Sequence, residues 1–178
     1  ADPGRRLFVR AAQTGLCALP FAVTGFGLLA RGRFDVREAA IAVPGLAPGL
    51  DGLRILQLTD IHLSPFLAAS ELERVVAMAN ETRPHLAVVT GDLITSAADP
   101  LEAAIRILAG LRADAGILGC LGNHEIYAGS EEFATLEGRR RGIVFLRGEA
   151  RPLRFGSATL NVVGVDYQRM SQPYLRGA

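Results

Sequence analysis

Asp60 and His62 stand one residue apart at the end of the apolar run Leu53-Arg-Ile-Leu-Gln-Leu-Thr59. An aspartate and a histidine so placed can share a metal ion. In extended backbone, residues i and i+2 point to one side, so the spacing predicts a converging carboxylate and imidazole with Ile61 turned back into the core. A single Asp-x-His also has an ordinary structural explanation, an aspartate bonded to loop amides beside a packed histidine. The pattern, however, recurs. Leu86–Thr90 runs into Gly91-Asp92, and Gly116–Leu121 runs into Gly122-Asn123-His124-Glu125. Asp92 follows Asp60 by 32 positions and precedes Asn123 by 31, the length of successive βαβ units. Three metal-compatible loops are therefore expected on one edge of one sheet.

These blocks, D-x-H, G-D and G-N-H-E, in this order and each after an expected strand, resemble the signature of the calcineurin-like metallophosphoesterases. The lead-in from Gly52 to Ser64, following an apolar N-terminal segment, is similar to the bacterial membrane-associated YkuE- and YaeI-like branch. The resemblance implies an α/β fold, the N-terminal half of an αββα sandwich preceded by an apolar transmembrane or signal helix. It further implies a two-metal centre: Asp60 and His62 on one ion, Asp92 bridging to the second, Asn123 on the second through its amide oxygen. His124 matches the position that is not a ligand but acts on the leaving or transferring group as acid or electrostatic aid. Oxygen and nitrogen donors suit Mn²⁺, Fe or Zn²⁺, and a hydroxide bridging two such ions would attack phosphorus in line. The implied reaction is hydrolysis of a phosphodiester, phosphomonoester or pyrophosphate, with a lipid or nucleotide conjugate as substrate; the UDP-diacylglucosamine pyrophosphatases are one such group. Glu125 is expected to organise its loop through backbone amides, without a catalytic role.

Family members complete the centre with a lone histidine and a G-H-x-H motif, and no histidine follows His124 here. The expectation is a chain truncated before those motifs and inactive by itself; the alternative is a non-catalytic binding module that keeps the fold with an incomplete metal site. The third histidine, His85, falls outside every motif, between Pro84 and an apolar run, and reads as a strand entry.

The elements that must position these residues follow from periodicity. Ser70-Glu-Leu-Glu73 has capping-box form, and Leu72, Val75, Val76 and Ala79 make the stripe of a helix ending near Pro84. Asp99-Pro100 supplies an N-cap and first-turn proline for a helix with Leu101, Ile105, Leu108 and Leu111 on one face. A third helix runs from Ser130 to about Arg141, acidic first and basic last, as the macrodipole favours. Arg139–Arg141 offers a phosphate site or, more simply, a helix end in water. Val36–Val43 reads as a strand pairing through the turn-rich residues 44–52 with Leu53–Thr59. Ile143–Leu146, Pro152–Phe155 and Thr159–Val165 read as strands, the last two joined through Gly156-Ser157, and the resemblance implies that they belong to a second sheet.

With 19 basic and 18 acidic residues among 178, the chain carries no bulk charge that would favour nucleic acid, and its length suffices for one domain with a core. Cys17 and Cys120 fit neither a disulfide framework nor a cysteine zinc site. Residues 1–33 read as a twin-arginine-like signal or membrane anchor and residues 34–178 as the phosphoesterase domain. Arg5-Arg6-Leu7-Phe8-Val9-Arg10 resembles a twin-arginine signal, although Gly4 replaces the usual Ser or Thr, and Ala11–Ala30 is free of charge over about the length that spans a bilayer. The competing structural reading is a buried pair of short helices broken near Pro20. Arginines on both flanks leave orientation open, and Ala40-Ile41-Ala42 lies too far beyond the run to make a clear cleavage site. The location expected is the bacterial inner membrane, anchored through residues 11–30 or exported by the twin-arginine route.

Overall fold

The structure, a computed structural model, describes residues 3–30 and 32–168. The chain divides into two compact units after Asp35. The first contains helix α1 (Pro3–Ala30), which continues through Pro20, so the break into two short helices does not form. Arg5 and Arg6 fall within it, and Phe8, Leu16, Leu19, Phe21, Val23 and Phe26 are exposed. Among the described residues no helix is long and apolar enough to cross a membrane, and the span expected over residues 11–30 is therefore not shown. Freedom from charge is a weaker property than apolarity, and Gln13, Thr14, Gly15, Thr24, Gly25 and Gly27 dilute the run.

In the second unit Val36–Val43 forms no strand, and Val36, Ile41 and Val43 are exposed. Alternation of apolar residues yields a strand only where a neighbour takes up the main-chain bonds. The parallel sheet begins instead with β1 (Ile55–Leu58) and continues through α2 (Ala69–Glu81), β2 (Leu86–Thr90), α3 (Leu101–Leu108), β3 (Ile117–Cys120), α4 (Asn123–Tyr127), α5 (Glu131–Arg140) and β4 (Ile143–Phe145). Strand order is β1-β2-β3-β4, all neighbours parallel, with Leu58 beside Val89, Thr90 beside Cys120 and Gly119 beside Phe145. β4 thus extends the first sheet, where the resemblance implied a place in a second.

The pleat divides the inner strands between two layers. Ala87, Val89, Ile117, Ile143 and Phe145 pack with Leu72, Val76 and Ala79 of α2, with Ile105 and Leu108 of α3 and with Ala134 of α5. Leu86 and Leu118, on the other face, pack with Leu146 and with Leu153 of a hairpin formed by β5 (Glu149–Phe155) and β6 (Ala158–Gly164). This hairpin, turned at Gly156-Ser157, is the second, two-stranded sheet. Helices, parallel sheet and hairpin form three layers of an α/β arrangement, with inner strands buried on both faces and correspondingly apolar.

Two helix starts differ from their sequence signatures. α2 begins at Ala69, and Glu71, rather than Glu73, reaches back to accept from the Ala68 amide at 2.8 Å. Asp99 caps the preceding loop, accepting from the Thr95 and Ser96 amides at 2.9 and 2.7 Å. At the end of α5, Arg140 and Arg141 both pair with Glu137, and Arg141 also reaches Glu102 at 3.3 Å, so this run serves a helix end. His85 accepts from the Arg54 amide through Nδ1 at 2.9 Å, a strand-entry contact.

Burial separates two isoleucines of the same sheet-and-helix layer system: Ile105 is 0% exposed and Ile55 51% exposed. Ile105→Ala is expected to cost about 2–5 kcal/mol through lost transfer energy and a residual cavity, and Ile55→Ala about 0.5 kcal/mol. Urea unfolding monitored by circular dichroism measures both; equal losses would refute the layer assignment.

Candidate metal centre

Parallel strands deliver their carboxyl ends to one edge, where the loops after β1, β2 and β3 meet. The first two loops are joined as a short continuation of the sheet, with the His62 and Leu63 amides donating to the carbonyls of Asp92 and Leu93, both at 2.8 Å. Asp60, His62 and Asp92 all adopt left-handed backbone, with φ of 51°, 48° and 51°. For residues with a Cβ this costs roughly 1–2 kcal/mol each. It also replaces the extended, same-side geometry expected for Asp60 and His62. Ile61 does turn into the core as expected.

Between the second and third loops the backbones touch. A Cβ on Gly91, itself at φ +83°, would collide with the Gly122 nitrogen, and one on Gly122 would collide with the Asp92 carboxylate. Only glycine at both positions allows Asp92 to lie against the start of α4. Glu125 then fastens the contact. Its side chain is 0% exposed and accepts from the amides of Asp92 at 3.0 Å, Leu93 at 2.7 Å, Ile94 at 3.4 Å and Gly122 at 2.9 Å. The organising role expected for Glu125 is this four-amide clamp.

The edge so built gathers His62, Asp92 and His124, each offering a ligand atom within 4.8 Å of the others. His62 Nε2 lies 3.9 Å from Asp92 Oδ2, and the two imidazoles meet edge to face at 4.7 Å and 88°. Asp92 Oδ1 accepts from the His124 amide at 3.1 Å. The Ile94 carbonyl lies 3.2 Å from His62 Nδ1 and the Thr95 carbonyl 2.6 Å from His124 Nδ1. A carbonyl oxygen only accepts, so both Nδ1 atoms carry the proton and each Nε2 keeps its lone pair, the tautomer that His62 needs to bind a metal. His62 Nε2 and the Asp92 carboxylate are donors that fit a divalent ion.

Of the other expected ligands, Asp60 lies outside this trio. The Asp60 carboxylate is exposed and accepts from the Thr59 hydroxyl at 2.6 Å. Asn123, the first residue of α4, lines an open cavity of about 500 Å³ with Thr90, Asp92, Gly122, Asp166 and Tyr167. A second depression of about 330 Å³, lined by Ile94, Pro100, Leu101 and Phe133, contains none of the expected site residues.

Sequence reasoning passes over Asp166 and the tyrosines. Asp166 accepts from the Leu121 amide at 2.9 Å and from Arg147 at 2.6 Å, and the Tyr167 amide returns to the Leu121 carbonyl at 2.9 Å. The end of β6 is thereby tied to the end of β3. The available signal was an aspartate directly after an apolar run, the same placement as Asp60 and Asp92. Cys120 lies inside this region; burial, then the Asp166 and Glu125 carboxylates, push its thiol pKa up, which keeps it protonated and unreactive.

Glu125→Ala strips the shared acceptor from four amides. Since a buried donor left unmade costs about 1–3 kcal/mol, a loss of at least about 3 kcal/mol is expected in urea unfolding, together with weaker Mn²⁺ binding by calorimetry. A stable variant with unchanged Mn²⁺ affinity would show that the clamp does not hold the centre.

Residues 53–169, more than half of the chain, match the family model described as calcineurin-like phosphoesterase. A Bos taurus transmembrane protein with metallophosphoesterase domain is 34% identical over 137 residues, covering 76% of this chain and 31% of the relative. The uncharacterized metallophosphoesterase YkuE of Bacillus subtilis is 38% identical over 93 residues, 51% of this chain and 32% of its own length. UDP-2,3-diacylglucosamine pyrophosphatase LpxG of Chlamydia trachomatis is 35% identical over 77 residues, 43% and 23% of the two chains. This chain therefore spans about a third or less of the length of each of these three relatives. With its three motifs on one sheet edge and this match across them, the chain belongs to the calcineurin-like phosphoesterase family.

Proposed function

We propose that the chain carries part of the centre of a two-metal phosphoesterase, with Asp60, His62, Asp92 and Asn123 as ligands and His124 beside the scissile bond. The observation that carries this reading is the convergence of His62, Asp92 and His124, with both imidazoles held by Nδ1 so that Nε2 faces inward. Divalent ions of the Mn, Fe or Zn type, when bound, supply Lewis acidity and lower the pKa of water. The chain's own residues supply the rest. Asp92, anchored from behind by Glu125, offers two carboxylate oxygens to neighbouring sites. Asn123 offers a neutral oxygen, which limits the negative charge facing an anionic phosphate. His124, oriented by the Thr95 carbonyl, directs Nε2 to the centre and in its protonated form donates to the leaving oxygen.

The substrate class is a phosphodiester, phosphomonoester or pyrophosphate, and the likeness to the UDP-2,3-diacylglucosamine pyrophosphatase LpxG supports a lipid or nucleotide conjugate. One imidazole, two carboxylates and an amide are too few to fill two coordination spheres. Hydrolysis is therefore expected from a protein with the complete ligand set and not from residues 1–178 alone. A second reading is a binding module that keeps the fold without catalysis.

Location belongs to the proposal as well. Exposed Leu16, Leu19, Phe21, Val23 and Phe26 on α1, together with relatives named as transmembrane proteins, support attachment to a membrane through residues 11–30. The bacterial inner membrane and the twin-arginine route rest on the Arg5-Arg6 pattern. Deleting residues 1–33 should move the protein from the membrane pellet to the supernatant after carbonate washing; an unchanged distribution would remove this part of the reading.

For the centre, Asp92→Ala is expected to lower Mn²⁺ affinity at least about 100-fold, a ligand being worth no less than the outer-shell groups that tune it. His124→Ala is expected to retain metal while lowering hydrolysis of bis(p-nitrophenyl) phosphate about 10²- to 10⁴-fold in a protein carrying the complete ligand set. Calorimetry and metal analysis decide between the roles. Metal loss in His124→Ala equal to that in Asp92→Ala would make His124 a ligand, and metal-loaded protein without hydrolysis would favour the binding module.

A further inference from the structure

Two tyrosines that the centre does not use stand at its rim. Tyr127 ends α4, the helix that starts with Asn123 and His124, and Tyr167 follows β6. Their rings meet edge to face at 5.9 Å and 71°, and the Tyr127 hydroxyl donates to that of Tyr167 at 3.2 Å. Both remain open to solvent, 64% and 39% exposed, while Tyr167 lines the cavity that contains Asp92 and Asn123. Tyr167 is anchored through the main chain. The Tyr167 amide is held by the Leu121 carbonyl, and Asp166 is pinned by Arg147 and the Leu121 amide. Exposed aromatic faces fixed beside a phosphate-directed site lose little further entropy on binding a ligand.

The walls of the same cavity decide what that ligand is. Val165 and the Tyr167 ring give the cavity apolar surface, and Thr90 and Gln168 place polar groups beside that surface, which an acyl chain would leave unpaired. A planar heteroaromatic ring stacks through its face and bonds through its edge. We infer that Tyr127 and Tyr167 form a stacking platform for an aromatic ring of the substrate, so that the centre prefers phosphate esters of nucleosides, or of other aryl-bearing groups, to those of alkyl alcohols. This rests on the phosphoester reading above and names the part of the substrate that the metal centre does not touch.

The test compares UMP with ribose 5-phosphate, which differ by the base, in equilibrium dialysis against the Mn²⁺-loaded chain. Wild type is expected to bind UMP about 5- to 100-fold more tightly, the range that a stacked base contributes. Tyr167→Leu, which keeps the main-chain bond to Leu121, is expected to bring UMP to the level of ribose 5-phosphate and leave the latter unchanged. Tyr167→Phe, which keeps the ring, should retain most of the preference. Phenyl phosphate binding more tightly than methyl phosphate in wild type but not in Tyr167→Leu extends the platform to aryl groups generally. Equal affinity of wild type for UMP and ribose 5-phosphate would overturn the inference, as would an equal loss of both in Tyr167→Leu or tighter binding of dihexanoyl phosphatidic acid than of UMP. If neither phosphate binds, residues 1–178 do not by themselves hold a phosphate, and uridine then decides the platform. The chain has three tyrosines and no tryptophan, so the part of the absorbance-corrected tyrosine quenching that differs between wild type and Tyr167→Leu reports on the pair. Uridine quenching that is stronger in wild type than in Tyr167→Leu supports the platform, and indistinguishable quenching overturns it.

Discussion

A carboxylate removed from water must find its solvation in the protein, and Glu125 finds it in four main-chain amides belonging to two different loops. Three of these amides follow β2 and one precedes α4, so a single buried side chain sets the spacing between the loop that carries Asp92 and the loop that carries Asn123 and His124. Unlike a packed apolar side chain, the carboxylate specifies direction as well as distance, because each amide must point at an oxygen. The close backbone approach of Gly91 and Gly122 removes the remaining freedom. Everything at the edge of the sheet inherits its geometry from this junction.

The strained backbone of Asp60, His62 and Asp92 is tolerable because the surroundings over-determine it. His62 is held at both ends, its amide by the Asp92 carbonyl and its ring by the Ile94 carbonyl. Glycine would relieve the left-handed conformation but would remove the donor groups, so the chain bears the cost where side chains are needed, the pattern seen at functional sites. The same carbonyls that hold the imidazoles also choose their tautomers. Structural bonds and ligand chemistry are thus one set of interactions.

The hairpin joins the site to the far face of the sheet. Leu153, Leu160 and Val162 cover Leu86 and Leu118, and the chain leaving β6 brings Asp166 and Tyr167 to the end of β3. Arg147, just before the hairpin, pairs with Asp166 just after it, so the hairpin is closed at its base over the loop that bears Asn123. β1 lies beyond this cover, at the sheet edge, with Ile55 and Gln57 exposed.

Much of this was written in local pattern. The motif blocks at strand ends, the near-equal spacings that announce βαβ units, the stripes of α2 and α3, and the Gly156-Ser157 turn all depend on residues close in sequence, and periodicity carries that information directly. The loop-organising role of Glu125 was legible for the same reason, from its place in the motif. What the sequence could not decide were properties of pairs far apart along the chain. Val36–Val43 alternates like a strand yet has no ladder, β4 adds to the first sheet, and Asp60 and His62 meet their surroundings from left-handed rather than extended backbone. Asp166 and Tyr167 reach the centre only because a hairpin folds across the sheet to place residues more than forty positions apart in contact. Alternation and spacing specify which face a residue presents; which partner covers that face is settled only by the packing of the whole unit.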